Sequence, residues 1–303
     1  MSAAVKLDGV TKRFGAKVAV DSLHLVVPKG SLFGFIGPNG SGKTSTLRMI
    51  LGILYPDEGR VEVLGRETTG ALDDRSGYLP EERGLYRRMR VEDVLAFHAR
   101  LKNVREPRRA ARRWLSRLGL SDRARDRVST LSKGLSQKVQ FAVAAIADPA
   151  LLVLDEPFSG LDPVNVDLLF DIVLELRDKG TTIILSTHEM GVAERLCDRV
   201  VMLHRGSKVL DGPVDEVKAR RGKEHVHVRY RERIDGLEGL PGVARVRDLG
   251  REQILELLPA TDPGELAQKL ASLGTLLRFE VSHPSLHEIF VEIAGTTTEG
   301  EDA

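Results

Sequence analysis

One eight-residue stretch constrains the fold more than any other part of the chain. Gly37-Pro-Asn-Gly-Ser-Gly-Lys43-Thr44 follows an apolar run, Leu32 to Ile36 (LFGFI), and leads into a segment of helical character from Thr44 to about Leu51. Glycines at these spacings let the backbone curl so that N–H groups point inward, and the helix that follows presents its positive end to the same point. The pattern GxxxxGK[ST] between a strand and a helix therefore predicts a phosphate-binding loop, with Lys43 reaching the β- and γ-phosphates and the Thr44 hydroxyl ligating Mg²⁺. A strand of this kind must be buried in a sheet that helices cover, which points to an α/β fold.

The remaining apolar runs supply that sheet. Leu151 to Asp155 (LLVLD) and Thr181 to Thr187 (TTIILST) read as buried strands, the second rich in β-branched residues. Between them, Val166, Leu169, Phe170, Val173 and Leu176 fall at helical spacing over Val164 to Lys179, and Gly180 closes the helix. This alternation predicts a largely parallel sheet. Asp155 and Glu156 end the LLVLD run at the carboxyl edge, where open α/β sheets hold their ligands. Asp155 is expected to hold Mg²⁺ directly or through water, and Glu156 to polarise the water that attacks a γ-phosphate. The plainer alternative is that both acids only cap the strand and face solvent.

Composition narrows the class. With 303 residues, 42% hydrophobic and 29% charged, the chain has the make-up of a soluble globular protein, with room for one domain and a smaller second one. A net charge of +1 favours neither nucleic acid nor an acidic surface. Cys197 is the only cysteine, so no intramolecular disulfide can form and a reducing compartment fits. The start, MSAAVKLDGV, lacks the apolar core of a secretory signal. The best candidate for a membrane span, Phe141 to Leu154, is interrupted by Asp148 and Pro149 and is shorter than the ~20 residues required. The chain is therefore expected not to cross a membrane by itself.

From about Glu92 to Ala147 the pattern is mostly helical, with arginine crowded into Arg100 to Arg127, including Arg108, Arg109, Arg112 and Arg113. The first reading of such a run is a solvated helix face; lipid headgroups or an acidic partner are the alternatives. Nucleic-acid binding is disfavoured because aromatic residues are not interleaved with the arginines, Trp114 being the only tryptophan. A helix is expected from Pro213 to Arg221, ending at Gly222. Beyond it, strand-like segments at His225 to Tyr230, Ala244 to Arg247, Gln253 to Leu258 and Leu276 to Val281 mix with helices at Pro263 to Leu273 and Leu286 to Ile293. They predict a small α+β domain, for which a ferredoxin-like arrangement is one candidate. The polar tail TTTEGEDA is expected to be disordered. His225, His227, His283 and His287 do not have the spacing of a metal set.

In chain order, GPNGSGKT, LSKGLSQ at Leu131 to Gln137, LLVLDEP, SGLD at Ser159 to Asp162 and finally His188 resemble the motifs of ABC ATPases, over roughly Val5 to Gly222. The resemblance implies a P-loop ABC ATPase domain at 1–222 with a helical subdomain at about 84–147, then an α+β domain at 223–295 and a tail at 296–303. It implies ATP and Mg²⁺ as cofactors. By resemblance, Gly37, Pro38, Asn39, Gly40, Ser41, Gly42, Lys43, Thr44 and Ser45 surround the phosphates. Phe14, in KRFGAKVAV, sits where an aromatic stacks on adenine, unless it is an ordinary core or edge ring. His188 resembles the switch histidine on the γ-phosphate, which makes Lys43, Glu156 and His188 the catalytic set. Ser132 and Gly134 resemble the signature that contacts the ATP of the other subunit, and Asp162 the aspartate that links the two sites. The active form is then a head-to-tail homodimer or heterodimer with a second ABC ATPase subunit.

Some residues depart from the family pattern. Lys133 replaces a glycine of the signature and Leu135 a glutamine; the lysine either adds charge near a phosphate or points into solvent. Gly77 to Tyr86 (GYLPEERGLY) matches the loop that joins the helical part to the nucleotide, with Glu81 at the glutamine position. That position makes Glu81 an ATP-site residue and, with Thr44 and Asp155, a metal ligand. HPSLHEIFVEIAG, at His283 to Gly295, resembles the end of exporter ATPases of the sodium-extrusion and drug-export branch, and the YLPEERGLY and LSKG variants look like that branch too. The resemblance thus implies an ATPase coupled to transmembrane export. It implies a cytoplasmic protein, peripheral on the cell membrane through integral membrane permease subunits, with no nucleic-acid partner. A soluble ABC ATPase acting on ribosomes or chromosomes is the rival, but this chain has neither two fused nucleotide domains nor a coiled-coil insertion. A non-hydrolysing ATP binder is opposed by Lys43, Asp155, Glu156 and His188. The cargo (sodium, a drug or a peptide) stays open.

Overall fold

The LFGFI run lies third in a six-stranded sheet, and the sheet explains why it is wholly apolar. The computed structural model of the protein describes residues 2–68, 74–82, 84–221, 225–259 and 261–298. Its first part runs β1 (Ala3–Phe14), β2 (Lys17–Pro28), β3 (Leu32–Ile36), α1 (Lys43–Ile50), β4 (Glu58–Val63), β5 (Arg66–Glu67) and β6 (Ser76–Leu79). Helices α2 (Val91–Leu101), α3 (Pro107–Arg117) and α4 (Lys133–Ala145) come next, then β7 (Leu151–Asp155), α5 (Pro163–Asp178), β8 (Thr182–Thr187), α6 (Met190–Leu196), β9 (Arg199–His204) and β10 (Ser207–Pro213). The six-stranded sheet has the order β10-β9-β3-β8-β7-β6. Every residue of β3, β7 and β8 is buried. Strands covered on both faces carry continuous apolar runs, as the expectation of a parallel sheet required.

Register decides what stands at the carboxyl edge. The β3, β6, β7, β8 and β9 pairings are parallel, with Ile36 opposite Thr187, Asp155 opposite Ser186 and Leu79 opposite Leu154. The loops after β3, β6, β7 and β8 therefore leave the sheet at one level. A second sheet, β2-β1-β4-β5, is antiparallel and lies over α1, so that Val5, Leu25, Phe33, Phe35, Leu47 and Val153 share one core.

The helical subdomain is closed by Trp114, fully buried edge-on to Phe141 with ring centroids 6.2 Å apart. The arginine run around it is laced with acids: Arg112 bonds Glu92 at 2.9 Å, Arg109 bonds Glu106 at 3.0 Å, and Arg117 pairs with Glu175 while lying over the Trp114 ring. Exposed pairs of this kind each contribute roughly 0–1 kcal/mol, which suits the solvated helix face expected of them. Helix α4 packs against β6 so closely that a Cβ on Gly77 would stand 2.1 Å from the Ala144 carbonyl oxygen.

The chain divides into two compact units, Met1–Gly212 and Pro213–Ala303. Helix α7 (Val214–Arg221), which the sequence grouped with the first domain, falls in the second unit; residues 222–224, where the boundary was expected, lie outside the described residues. The second unit continues with β11 (His225–Tyr230), β12 (Val243–Asp248), β13 (Gln253–Leu257), α8 (Pro263–Leu273), β14 (Leu276–Ser282) and α9 (Leu286–Thr298). Its sheet, β12-β13-β11-β14, is antiparallel throughout. Numbered within the unit, that order is 2-3-1-4, the arrangement of the split βαβ fold, except that a 3-10 turn at Leu237–Gly239 stands where the first helix would be. Its core joins Val226, Val228 and Leu255 to Leu266 and Leu270 of α8. Helix α9 takes in residues 296–298 of the expected disordered tail, and residues 299–303 lie outside the described residues. Among the described residues no helix is long and apolar enough to cross a membrane.

Candidate nucleotide site

The loop after β3 is shaped by close approaches that exclude side chains. A Cβ on Gly37 would lie 2.2 Å from the Leu203 carbonyl oxygen, and one on Gly42 would lie 2.5 Å from that of Ala19. Gly42 also has φ of 106°, a left-handed conformation that lets the chain turn into α1. The Lys43 ammonium folds back under the loop and donates to the carbonyl oxygens of Gly37 (2.7 Å) and Pro38 (3.0 Å). Burial lowers the Lys43 pKa, and the charges of Glu156, Asp155 and Glu81 oppose that shift. Ser41 is buried, and its hydroxyl has no partner among the described residues.

Asp155 ends β7 fully buried. Its Oδ1 accepts from the Ser186 hydroxyl of the neighbouring strand and lies 3.4 Å from the Thr44 hydroxyl. Its Oδ2 is buried and accepts no hydrogen bond among the described residues. An uncompensated buried carboxylate oxygen is costly, and this carboxylate, with the Thr44 hydroxyl beside its other oxygen, offers the hard oxygen ligands that a divalent cation takes. The residues present therefore fit Mg²⁺.

Glu156 takes φ of 49°, a left-handed conformation that costs a non-glycine residue on the order of 1–2 kcal/mol. Several bonds hold this turn. Its N–H donates to the Ser186 carbonyl and hydroxyl oxygens, both at 3.2 Å, and Gln137 Nε2 donates to the carbonyls of Glu156 (3.5 Å) and Pro157 (3.0 Å). Glu156 Oε1 accepts from the His188 backbone N–H at 3.0 Å and lies 2.8 Å from His188 Nδ1. Burial raises the Glu156 pKa, partly offset by the His188 contacts and the Lys43 charge. A carboxyl whose pKa burial raises is suited to accept a proton as a general base.

One cleft of about 450 Å³ collects most of these groups: Phe14, Asn39, Gly40, Gly42 to Ser45, Glu81, Asp155 and Glu156 line it, with Lys17 and Ala19 from β2. That volume is within the range of roughly 300–1,000 Å³ found for small-molecule sites. Phe14 is 51% exposed at the end of β1, with Lys12 over its ring, so it is a rim aromatic and not a core one. Gly37, Pro38 and Ser41 are not among the lining residues; the first two hold the Lys43 ammonium through their carbonyls and Ser41 is buried.

Ser132, Gly134 and Asp162 are not among the cleft-lining residues. Ser132 caps α4, accepting from the Leu135 N–H at 3.3 Å. Asp162 caps α5, accepting from Asn165 N (3.0 Å) and Asn165 Nδ2 (2.6 Å), bonds that hold its carboxyl below the usual range. A Cβ on Gly134 would lie 3.3 Å from Leu161, and Lys138 bonds Asn165 at 2.8 Å. These three residues thus form a second cluster, built on the N-terminal ends of α4 and α5. Lys133 is exposed there.

Sequence reasoning missed Ser186, Gln137 and Gln140. A hydroxyl at the end of a strand that carries no other polar side chain but threonine was the available signal for Ser186. Nothing local marks the two glutamines.

The ABC transporter family matches residues 20–159 of the chain, and the ATP-binding protein DrrA1-3-like C-terminal domain matches residues 212–294. An uncharacterized ABC transporter ATP-binding protein of Bacillus subtilis (strain 168), YhaQ, is 40% identical over 296 residues, 97% of this chain and 99% of that protein. Nod factor export ATP-binding protein I of Rhizobium sp. (strain N33) is 35% identical over 308 residues, 98% of each. Among solved structures, the dimeric post-hydrolysis state of an ATP-binding cassette bound to ADP and Pi is similar with a TM-score of 0.64 at 25% identity, covering 69% of this chain and 98% of that one.

Proposed function

The chain belongs to the ABC transporter ATP-binding family, and from that premise we propose that it is the ATP-hydrolysing motor subunit of a membrane exporter. It would work as a head-to-tail pair with a second ATPase subunit, on the cytoplasmic face of the membrane, bound to separate permease subunits. The observation that carries this reading is the split of the site. Lys43, Asp155 and Glu156 line one cleft, with His188 bonded to Glu156 beside it, whereas Ser132, Gly134 and Asp162 gather in another place. A second copy or a paralogue brings the missing cluster to each cleft. The end-to-end likeness to a Nod factor export protein and the DrrA-like C-terminal unit support the exporter assignment.

The chemistry follows from the geometry. ATP enters with its phosphates against the loop amides and its adenine against Phe14. Lys43 exchanges its two carbonyl partners for phosphate oxygens, which are the stronger acceptors because they are charged. Thr44, Asp155 Oδ2 and Glu81 are the groups that would hold Mg²⁺, which when bound neutralises phosphate charge. Glu156 accepts a proton from water as its oxygen attacks the γ-phosphorus; the bond to the β–γ bridging oxygen breaks, and ADP and phosphate leave. His188 holds the Glu156 carboxylate in place.

Co-expression with candidate permease chains, followed by purification from membranes, tests the proposal. The pair is expected to co-purify in detergent, and the ATPase expressed alone is expected in the soluble fraction. Tight membrane binding with no permease present would refute it and return attention to the arginine segment as a lipid contact.

A further inference from the structure

Two buried glutamines of α4 are unaccounted for by the site. Gln137 and Gln140 are 4% and 3% exposed and, with Ala144, lie at i, i+3 and i+7, on one stripe of the helix. This stripe faces β6 and the catalytic edge, since Ala144 carries the carbonyl that approaches Gly77. Gln140 Nε2 donates to the carbonyls of Pro80 (3.1 Å) and Glu82 (3.0 Å), which flank Glu81. Gln137 Nε2 makes the same kind of clamp on Glu156 and Pro157. A glutamine amide has two N–H donors, and Gln140 places both on the loop; turning the amide over would set its oxygen against two carbonyl oxygens. The Gln140 oxygen is buried with no hydrogen-bond partner among the described residues. A merely solubilising or space-filling side chain would not bear that penalty.

We propose that Gln140 is a positioning residue that fixes Glu81 at the nucleotide cleft, so that α4, which carries Ser132 at its N-terminal cap, sets the carboxylates of its own site through Gln140 and Gln137. The inference rests on the reading of Glu81 and Glu156 as groups of the nucleotide site. A displacement of α4, as when its cap engages the partner's nucleotide, then moves Glu81 and Glu156 together. Signature and active site are joined by two side-chain clamps one turn apart on the same helix.

The test uses the full-length protein. Gln140→Leu keeps the side chain's approximate size and removes both donors; Gln140→Asn keeps the donors but falls one carbon short, and serves if the leucine variant does not fold. Amide hydrogen exchange is followed in the nucleotide-free protein over the segment from Leu79 to Tyr86. Each lost hydrogen bond is worth roughly two- to tenfold, so exchange there should accelerate on the order of tenfold while α8 is unchanged. The Mg²⁺ concentration for half-maximal ATPase activity at saturating ATP should shift in the same direction as in Glu81→Gln, and the double variant should shift no further than Glu81→Gln alone. Unchanged exchange in a folded Gln140 variant, or shifts that simply add in the double variant, would overturn the proposal. If Glu81→Gln leaves the Mg²⁺ curve superimposable on wild type while exchange still accelerates in Gln140→Leu, the metal role of Glu81 fails and the positioning role of Gln140 stands.

Discussion

Glu156→Gln is the sharpest probe of the site, because the substitution keeps shape and removes only basicity. The glutamine carbonyl oxygen can still accept from the His188 N–H, as Oε1 does now at 3.0 Å, so the strained turn after β7 should persist. What disappears, on the proposed mechanism, is the group that takes the water's proton. Loss of a positioned general base costs about 10²–10⁴ in rate. At 1.36 kcal/mol per tenfold, that is roughly 3–5 kcal/mol on the barrier. Single-turnover phosphate release should fall by that factor, with ATP affinity by equilibrium titration nearly unchanged. On the proposed mechanism the ATP-closed pair then cannot reset, so size-exclusion chromatography in ATP should show a dimer.

The pH behaviour follows from the raised pKa. Burial favours the neutral carboxyl, so wild-type activity should fall, as pH drops, above the ordinary glutamate range. The sign for stability is the reverse. Between the unfolded and the raised folded pKa the native state holds more protons, so stability declines as pH rises through that window and is not regained above it. Glu156→Gln escapes this loss, and the nucleotide-free variant should be at least as stable as wild type at pH 7 in thermal unfolding. Near wild-type turnover in the variant would remove Glu156 from its role.

Gly77→Ala should destabilise the first unit by roughly 1–3 kcal/mol in urea unfolding, since the new methyl meets the Ala144 carbonyl; an unchanged midpoint would refute the close packing of β6 on α4. Truncation after Gly212 should leave a folded unit that still binds ATP, because every cleft residue lies before the cut, and loss of binding in calorimetry would show that the second unit is needed. Ser132→Ala removes the cap of α4 at about 1 kcal/mol and should depress ATPase activity in the assembled pair while leaving single-chain ATP affinity intact; equal loss of both would place Ser132 in its own chain's cleft.

The sequence by itself determined the parts whose physics is local. A loop that needs glycine at close approaches and left-handed turns, as at Gly37 and Gly42, announces itself in the residue types. So does a strand buried on both faces, since LFGFI and LLVLD have no polar side to show before the closing aspartate. The likeness of motif order then named Phe14, Lys43, Glu81, Asp155 and Glu156, and the structure puts them around one cleft. Strand order was decided only by the tertiary structure. Placing β8 between β3 and β7 sets Ser186 against Asp155, and nothing in TIILST states which strands will flank it, because the apolar pattern of a buried strand is the same for any neighbour. The clamps of Gln137 and Gln140 depend on how near α4 comes to β6, a distance fixed by Gly77 some sixty residues away in the chain. The grouping of α7 with the second unit likewise shows only in the folded chain, since a short charged helix carries no record of the unit it joins.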